Sequence, residues 1–210
     1  MSTYDSAVPP PAPRRRNPRG QGDRLRQELL AATVELLAEH RSPEAVTLRG
    51  VAAAAGVSPT AVYRHFADRD ELVRQAVAWS WQRFDEALEI ADSGNPVADF
   101  HAQGEAYLRF ASQEPGIYRV LFSYGHEPPA PPGPGEASAD HPGAPVFQKL
   151  VDRVAVLLER RGDDRDPAFV ALQVHTWIHG IADLECSQVE GTWPLVERLL
   201  DELGPRLDLT

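Results

Sequence analysis

The side chains best equipped for chemistry fall in two places. Between residues 47 and 69 stand four hydroxyls (Thr47, Ser58, Thr60, Tyr63), the imidazole of His65 and the guanidinia of Arg49, Arg64 and Arg69, interleaved with small apolar residues. Hydroxyls and guanidinia of this kind donate to phosphate oxygens, and an arginine pairs with the two acceptors on the major-groove edge of guanine. The set therefore points to a duplex nucleic acid. The second place is the stretch 175–186, where His175, His179 and Asp183 recur every fourth residue and Cys186 follows near the same stripe. These are metal-ligating types. No second ligand cluster accompanies them, so a polar pocket wall or a buried, hydrogen-bonded histidine accounts for them better, and no metal or other cofactor is expected. The chain offers no nucleophile–base–acid set, no glycine-rich phosphate loop and no CxxC pair, so an enzyme is not expected either.

The elements that must hold the first set are short. Leu25, Leu29, Ala32, Thr33 and Leu36 mark one face of a helix from Asp23 to His40. Thr47 has the character of an N-cap for a helix over Leu48–Ala55, with Gly56 in the C′ position. Ser58 is the expected cap of the next helix, Pro59–His65, whose proline at the first position costs no hydrogen bond. In that helix Val62 and Phe66, four apart, can pack inward while Thr60, Tyr63 and Arg64 face out. Two short helices joined by Gly56-Val57-Ser58 make a helix-turn-helix, its second helix placed to enter a major groove.

The remainder reads as helices too. Asp68 and Glu71 form a D-x-x-E capping pattern that opens a long helix with Val73, Val77, Phe84 and Leu88 inward, stopped by Gly94-Asn95-Pro96. Further helices carry Phe100, Tyr107, Leu108 and Ala111; Ile117, Tyr118, Leu121 and Phe122; Phe147, Leu150, Val154 and Leu158; Val170, Val174, Trp177, Ile178 and Ile181; and a last one spans Pro194–Leu203. The expected class is all-α, about nine helices with no strand. Residues 1–20 hold five prolines and the arginines Arg14, Arg15, Arg16 and Arg19, and form a disordered basic arm. Residues 126–145, with seven prolines and three glycines, form a surface loop. Domains are expected at 21–68, the helix-turn-helix, and 69–210. Gly180 in mid-helix points to a close helix contact.

Charge divides along the same line. The chain of 210 residues has a formal net charge of −10, yet residues 1–76 carry +2 and residues 77–210 carry −12. A near-neutral head with a basic arm is compatible with one DNA-binding end. A single cysteine and the absence of a long apolar run point to a protein of the cytoplasm that does not enter a membrane.

Thr47-Leu48-Arg49-Gly50-Val51-Ala52, then Gly56-Val57-Ser58-Pro59-Thr60-Ala61-Val62-Tyr63-Arg64-His65-Phe66 and Asp68-Arg69-Asp70-Glu71-Leu72, resemble the signature of the TetR family of regulators. The resemblance covers residues 24–74. It implies contacts to operator DNA at Thr47, Ser58, Thr60, Tyr63, His65 and Arg69, to which Arg49, Pro59 and Arg64 are added as neighbours in the motif. Proline at 59, where that family often has a lysine or a small residue, and arginine at 69, where lysine is usual, are departures. Tyr107-Leu108-Arg109-Phe110-Ala111, Tyr118, Phe122 and Trp177-Ile178-His179-Gly180 resemble the WHG-type C-terminal domain of some members. The implied protein is a homodimer that binds palindromic double-stranded operator DNA, usually as a repressor, and is released by a small-molecule effector. Tyr107, Phe110, Tyr118, Phe122, Trp177 and His179 are the expected pocket residues.

Overall fold

Thr47, Asp68 and Asn95 each stand one residue before a helix and satisfy its first free amides with a side-chain oxygen. Thr47 Oγ1 accepts from the Gly50 amide at 3.0 Å, Asp68 Oδ1 from Glu71 at 2.7 Å, and Asn95 Oδ1 from Val97 at 3.1 Å. Glu71 reaches back to the Ala67 amide, 2.6 Å, which completes a reciprocal cap. The computed structural model describes residues 22–40, 42–124, 141–186 and 198–209. The expected basic arm and residues 126–140 of the proline-rich loop lie outside them.

Among the described residues the regular elements are helical: α1 (Gly22–His40), α2 (Leu48–Ala54), α3 (Pro59–Tyr63), α4 (Arg69–Ala87), α5 (Pro96–Gln113), α6 (Pro115–Tyr124), α7 (Ala144–Arg161), α8 (Pro167–Cys186) and α9 (Arg198–Arg206), with one 3₁₀ turn at Pro43–Ala45. Gly56, at φ 65°, supplies the left-handed turn between α2 and α3, and Gly162, at φ 64°, closes α7. α1 lies against α4 and α6, α5 and α7 both pack on α8, and α9 bridges α5 and α8. One core runs through all of it, from Leu29, Val62 and Phe66 under α1–α3 to Phe84, Tyr107, Leu158 and Ile178.

Several expected boundaries and faces differ. Ser58 precedes α3 but makes no side-chain cap bond, and α3 ends at Tyr63 rather than His65. α4 stops at Ala87, where the Leu88 amide turns back to Phe84 and Asp85. Gly94-Asn95-Pro96 therefore starts α5 instead of stopping α4, since asparagine followed by proline is an N-cap arrangement as much as a terminator. The inward stripe of α4 is Leu72, Ala76, Ser80, Trp81, Phe84 and Leu88, with Val73 and Val77 only half-buried. Ser80 enters that stripe because its hydroxyl donates to the Ala76 carbonyl, 2.9 Å, which removes the cost of burying it. α7 begins at Ala144, inside the expected loop, and α9 runs past Leu203 to Arg206. The close contact expected at Gly180 is not found among the described residues, where nothing lies within 4 Å of a Cβ placed there.

Two other glycines are sites of close approach. A Cβ on Gly104 would meet Leu200 Cδ1 at 2.8 Å, and one on Gly143 would meet three atoms of the Trp81 ring at 2.6–2.8 Å. A leucine methyl can rotate away; an indole packed on three sides cannot. Gly143→Ala is therefore expected to cost about 1–3 kcal/mol in urea unfolding. Gly116→Ala, whose Cβ would sit 3.6 Å from Ala38, is expected to change stability by less than about 0.5 kcal/mol. Equal effects of the two would refute the packing account.

Candidate functional site

On the α2–α3 unit, burial sorts the sequence motif into anchors and displayed groups. Val62 and Phe66 are 0% and 1% exposed, while Tyr63 is 60% exposed. Thr47, Arg49, Ser58, Pro59, Thr60 and Arg64 are also exposed, and His65 and Arg69 are half-buried. α3 is thus fastened by one edge and presents the other. The Arg26 guanidinium lies over the Phe66 ring at 5.5 Å and its Nη2 donates to Gln75 Oε1, so α1 braces the anchor residue from outside. Thr47 spends one lone pair on its cap and keeps its hydroxyl proton for a further acceptor. Arg69 is already paired with the adjacent Asp70, Nη2 to Oδ1 2.6 Å, in a solvent-exposed contact. Such a pair is weak and exchanges readily for a phosphate.

The second constellation lies inside the body. α4 supplies Trp81 and Phe84, α5 supplies Tyr107 and Phe110, α6 supplies Tyr118 and Phe122, and α8 supplies His175 and His179. Phe84 meets Tyr107, Phe110 and Phe122 edge-on at 5.2, 5.1 and 6.1 Å between centroids. Phe122 lies 4.6 Å from His179, and the two imidazoles are stacked 5.7 Å apart at 18°. At the polar end Tyr118 Oη and His179 Nδ1 are 2.6 Å apart, with Tyr107 Oη 3.4 Å from both.

Burial decides the charge of this group. It drives both phenols upward, Tyr107 well above its ordinary value, so they remain protonated. It pushes His175 down to about 4, helped by the neighbouring His179, and it lowers His179 against the opposing pull of Asp183. With every member neutral, one proton serves the short contact between the Tyr118 hydroxyl and His179 Nδ1, and the imidazole tautomer sets which of the two donates. The arrangement can bind a ligand by ring stacking and neutral hydrogen bonds. It lacks a charged acid or base.

Of the six expected pocket residues, five converge here. Trp177 does not: its Nε1–H donates to the Leu199 carbonyl at 3.1 Å, so it ties α8 to α9. The metal-type stripe does not converge either. Asp183 is exposed, the Cys186 thiol donates to the Ala111 carbonyl at 3.4 Å, and burial raises its pKa. Among the described residues no three ligating side chains could hold a metal ion. Trp81, Phe84 and His175 belong to the cluster but not to the expected pocket set. The i, i+3 pair 81/84 and the i, i+4 pair 175/179 were the sequence signals available for them.

Comparison with known proteins places these features together. Residues 29–76 match the family described as bacterial regulatory proteins, tetR family, and residues 100–203 match the tetracyclin repressor-like C-terminal domain. An uncharacterized HTH-type transcriptional regulator of Haemophilus influenzae is 30% identical over 106 residues, covering 49% of this chain. The chain spans about half, 51%, of the length of that curated relative. A structure from Rhodococcus sp. RHA1, a protein with unknown function, superposes with a TM-score of 0.68 at 26% identity, covering 87% of this chain and 93% of that one. The SmeT–triclosan complex shares the fold at a TM-score of 0.60 and 21% identity, covering 87% of this chain and 91% of that one.

The histidine stack predicts an acid dependence. An unfolded imidazole titrates near 6.5, whereas His175 in the fold does so at about 4. The native state resists the proton, so its stability is full above about pH 6.5 and is lost as pH falls toward 4. Between pH 7 and pH 5 the wild type should lose on the order of 1–2 kcal/mol more than His175→Gln in urea titrations. Parallel losses in both proteins would rule out this origin.

Proposed function

The chain belongs to the TetR family of bacterial regulatory proteins, and on that premise we propose that it is a one-component repressor. In this proposal residues 21–68 bind a palindromic operator, and a small molecule in the body releases them. The observation that carries the proposal is the split of α3 into the anchors Val62 and Phe66 and the exposed Thr60, Tyr63 and Arg64. Thr47, Arg49, Ser58, Pro59, His65 and Arg69 surround that edge and supply phosphate contacts and orientation.

The effector, a neutral aromatic or polycyclic compound, occupies the ring cluster around Tyr107, Phe110, Tyr118, Phe122 and His179. Coupling follows from packing: α4 and α6 carry half of the cluster, and both lie against α1. A ligand that separates Phe84 from Phe122 must shift α4 or α6, and α1 carries α2 and α3 with it. DNA affinity then falls by the ligand's preference for the shifted state. The protein acts in the cytoplasm without catalysis, and no helix among the described residues is long and apolar enough to cross a membrane.

Two copies are required for a palindrome. The outward face of α8 supports a dimer: Phe169 is 60% exposed and Leu172 50%, and Gly180, with open space at its Cβ, continues the line. Leu199 on α9 is also exposed, at 36%. These make a self-complementary four-helix contact with the partner's α8 and α9.

Fluorescence anisotropy on the DNA directly upstream of the gene, beside scrambled DNA at several salt concentrations, tests the first part. Sequence-preferring binding is expected, weakened ~10-fold or more by Tyr63→Ala. If random-sequence selection yields no palindrome, the proposal is wrong. For the second part, the double variant Phe169→Glu with Leu172→Glu should run as a monomer in light scattering and lose operator binding. A dimer that survives it would place the interface elsewhere.

A further inference from the structure

Bordering the ring cluster at Phe110, a cleft of about 530 Å³ is lined by residues of α1, α4 and α5. That volume lies within the range of small-molecule sites. Gln27 of α1, Trp79 and Arg83 of α4, Arg109 and Phe110 of α5, and Glu114 just beyond α5 line it. The Arg83 guanidinium lies over the Trp79 ring at 5.1 Å, which makes a flat cationic shelf.

The cleft holds two arginines and two glutamates, Glu86 being the second acid. The nominal balance is even, but the donors and acceptors are not equally committed. Glu114 already accepts from Arg83 Nη2 at 2.7 Å, and Glu86 accepts from the Gln82 amide at 2.9 Å. Arg83 uses one nitrogen of its fork in that bond. Arg109 is exposed and makes no ion pair or side-chain hydrogen bond among the described residues. Arg109 and the free edge of Arg83 are thus planar donors still open in the cleft, which they share with the carboxylate of Glu86. The rings of Trp79 and Phe110 line it with them.

We propose that this cleft is a second small-molecule site, specific for an aromatic carboxylate, whose carboxylate bridges Arg109 and the free edge of Arg83 while its ring lies between Trp79 and Phe110. Guanidinium forks recognise carboxylates in two parallel bonds, which gives both strength and orientation. The site is separate from the neutral tyrosine–histidine network, which offers no cation to an anionic group. Because the lining residues come from α1, α4 and α5, an occupant touches all three helices.

The full chain, free of DNA, is titrated calorimetrically with 1-naphthoate and with 1-naphthamide, its neutral isostere. The acid is expected to bind with one molecule per chain, ~10-fold or more tighter than the amide, and to weaken as salt is raised. Arg109→Gln changes an exposed side chain and leaves the fold intact, and it should weaken the acid ~10-fold or more. Gln113→Trp, at another exposed position of the lining, should block acid and amide alike. Tyr118→Phe, in the ring cluster, should leave binding of the acid unchanged. The proposal is overturned if the acid fails to bind at millimolar concentration or the amide binds as well. It is equally overturned if Arg109→Gln and Gln113→Trp behave as wild type, or if Tyr118→Phe removes binding. No arm of the experiment contains DNA, so its outcome is independent of the operator proposal.

Discussion

The ring of Phe84 is the piece on which the rest of the body is registered. It stands edge-on to rings from α5 and α6 and to Trp81 one turn earlier on its own helix. Contacts of this geometry are worth about 0.5–1.5 kcal/mol each beyond the area they bury, and they fix orientation as well as distance. α4 is a 19-residue rod, about 28 Å long. Its second half carries Phe84, and its first half carries Leu72 and Ala76 in the core beneath α1. A displacement at one end of such a rod has few ways to dissipate before it reaches the other. α4 therefore belongs to the packing beneath α1 and to the ring cluster at once.

The polar end of the ring cluster sets the terms on which anything can enter it. Two buried phenols meet a half-buried imidazole, and they are tolerable there because each is neutral and the hydroxyl of Tyr118 is satisfied by His179. A ligand that interrupts this chain must replace its bonds or leave a buried donor unpaired, which is expensive. Discrimination by polar complementarity is thus built into an otherwise apolar region. The acidic excess of residues 77–210 acts at longer range: a net negative charge disfavours the approach of other anions to that part of the chain.

The helix-turn-helix was legible because its signals are local: a threonine cap at 47, a glycine at 56 that the turn requires in the left-handed region, a proline at 59 that suits a first helical position. The burial of Val62 and Phe66 against the display of Thr60 and Tyr63 followed from spacing alone. The inward face of α4 was legible at Phe84 and Leu88 but not in the first half of the helix. Val73 and Val77 make as regular a stripe as Leu72 and Ala76, and the decision in favour of the latter depends on α1 and on the buried hydroxyl of Ser80. The end of α4 was missed because Ala87 and Leu88 carry no terminator. Trp177 is a pocket residue by the resemblance to the WHG-type domain, yet its side chain turns to the Leu199 carbonyl, and no local pattern says which neighbouring helix an indole will meet. Five of the six pocket residues do meet, but Trp81 and Phe84, which organise them, come from the helix whose orientation was least readable.

Cys186 is the single thiol of the chain. It is half-buried, it donates to the Ala111 carbonyl, and its surroundings favour the protonated form. Nucleophilic and oxidative chemistry at sulfur proceeds through the thiolate, so this position reacts more slowly at neutral pH than a fully exposed thiol would. The protein is consequently a ready-made background for spectroscopy. A cysteine introduced at an exposed site on α3 or α8 would take a maleimide dye or spin label selectively, and distances between copies could be followed without first removing the native thiol.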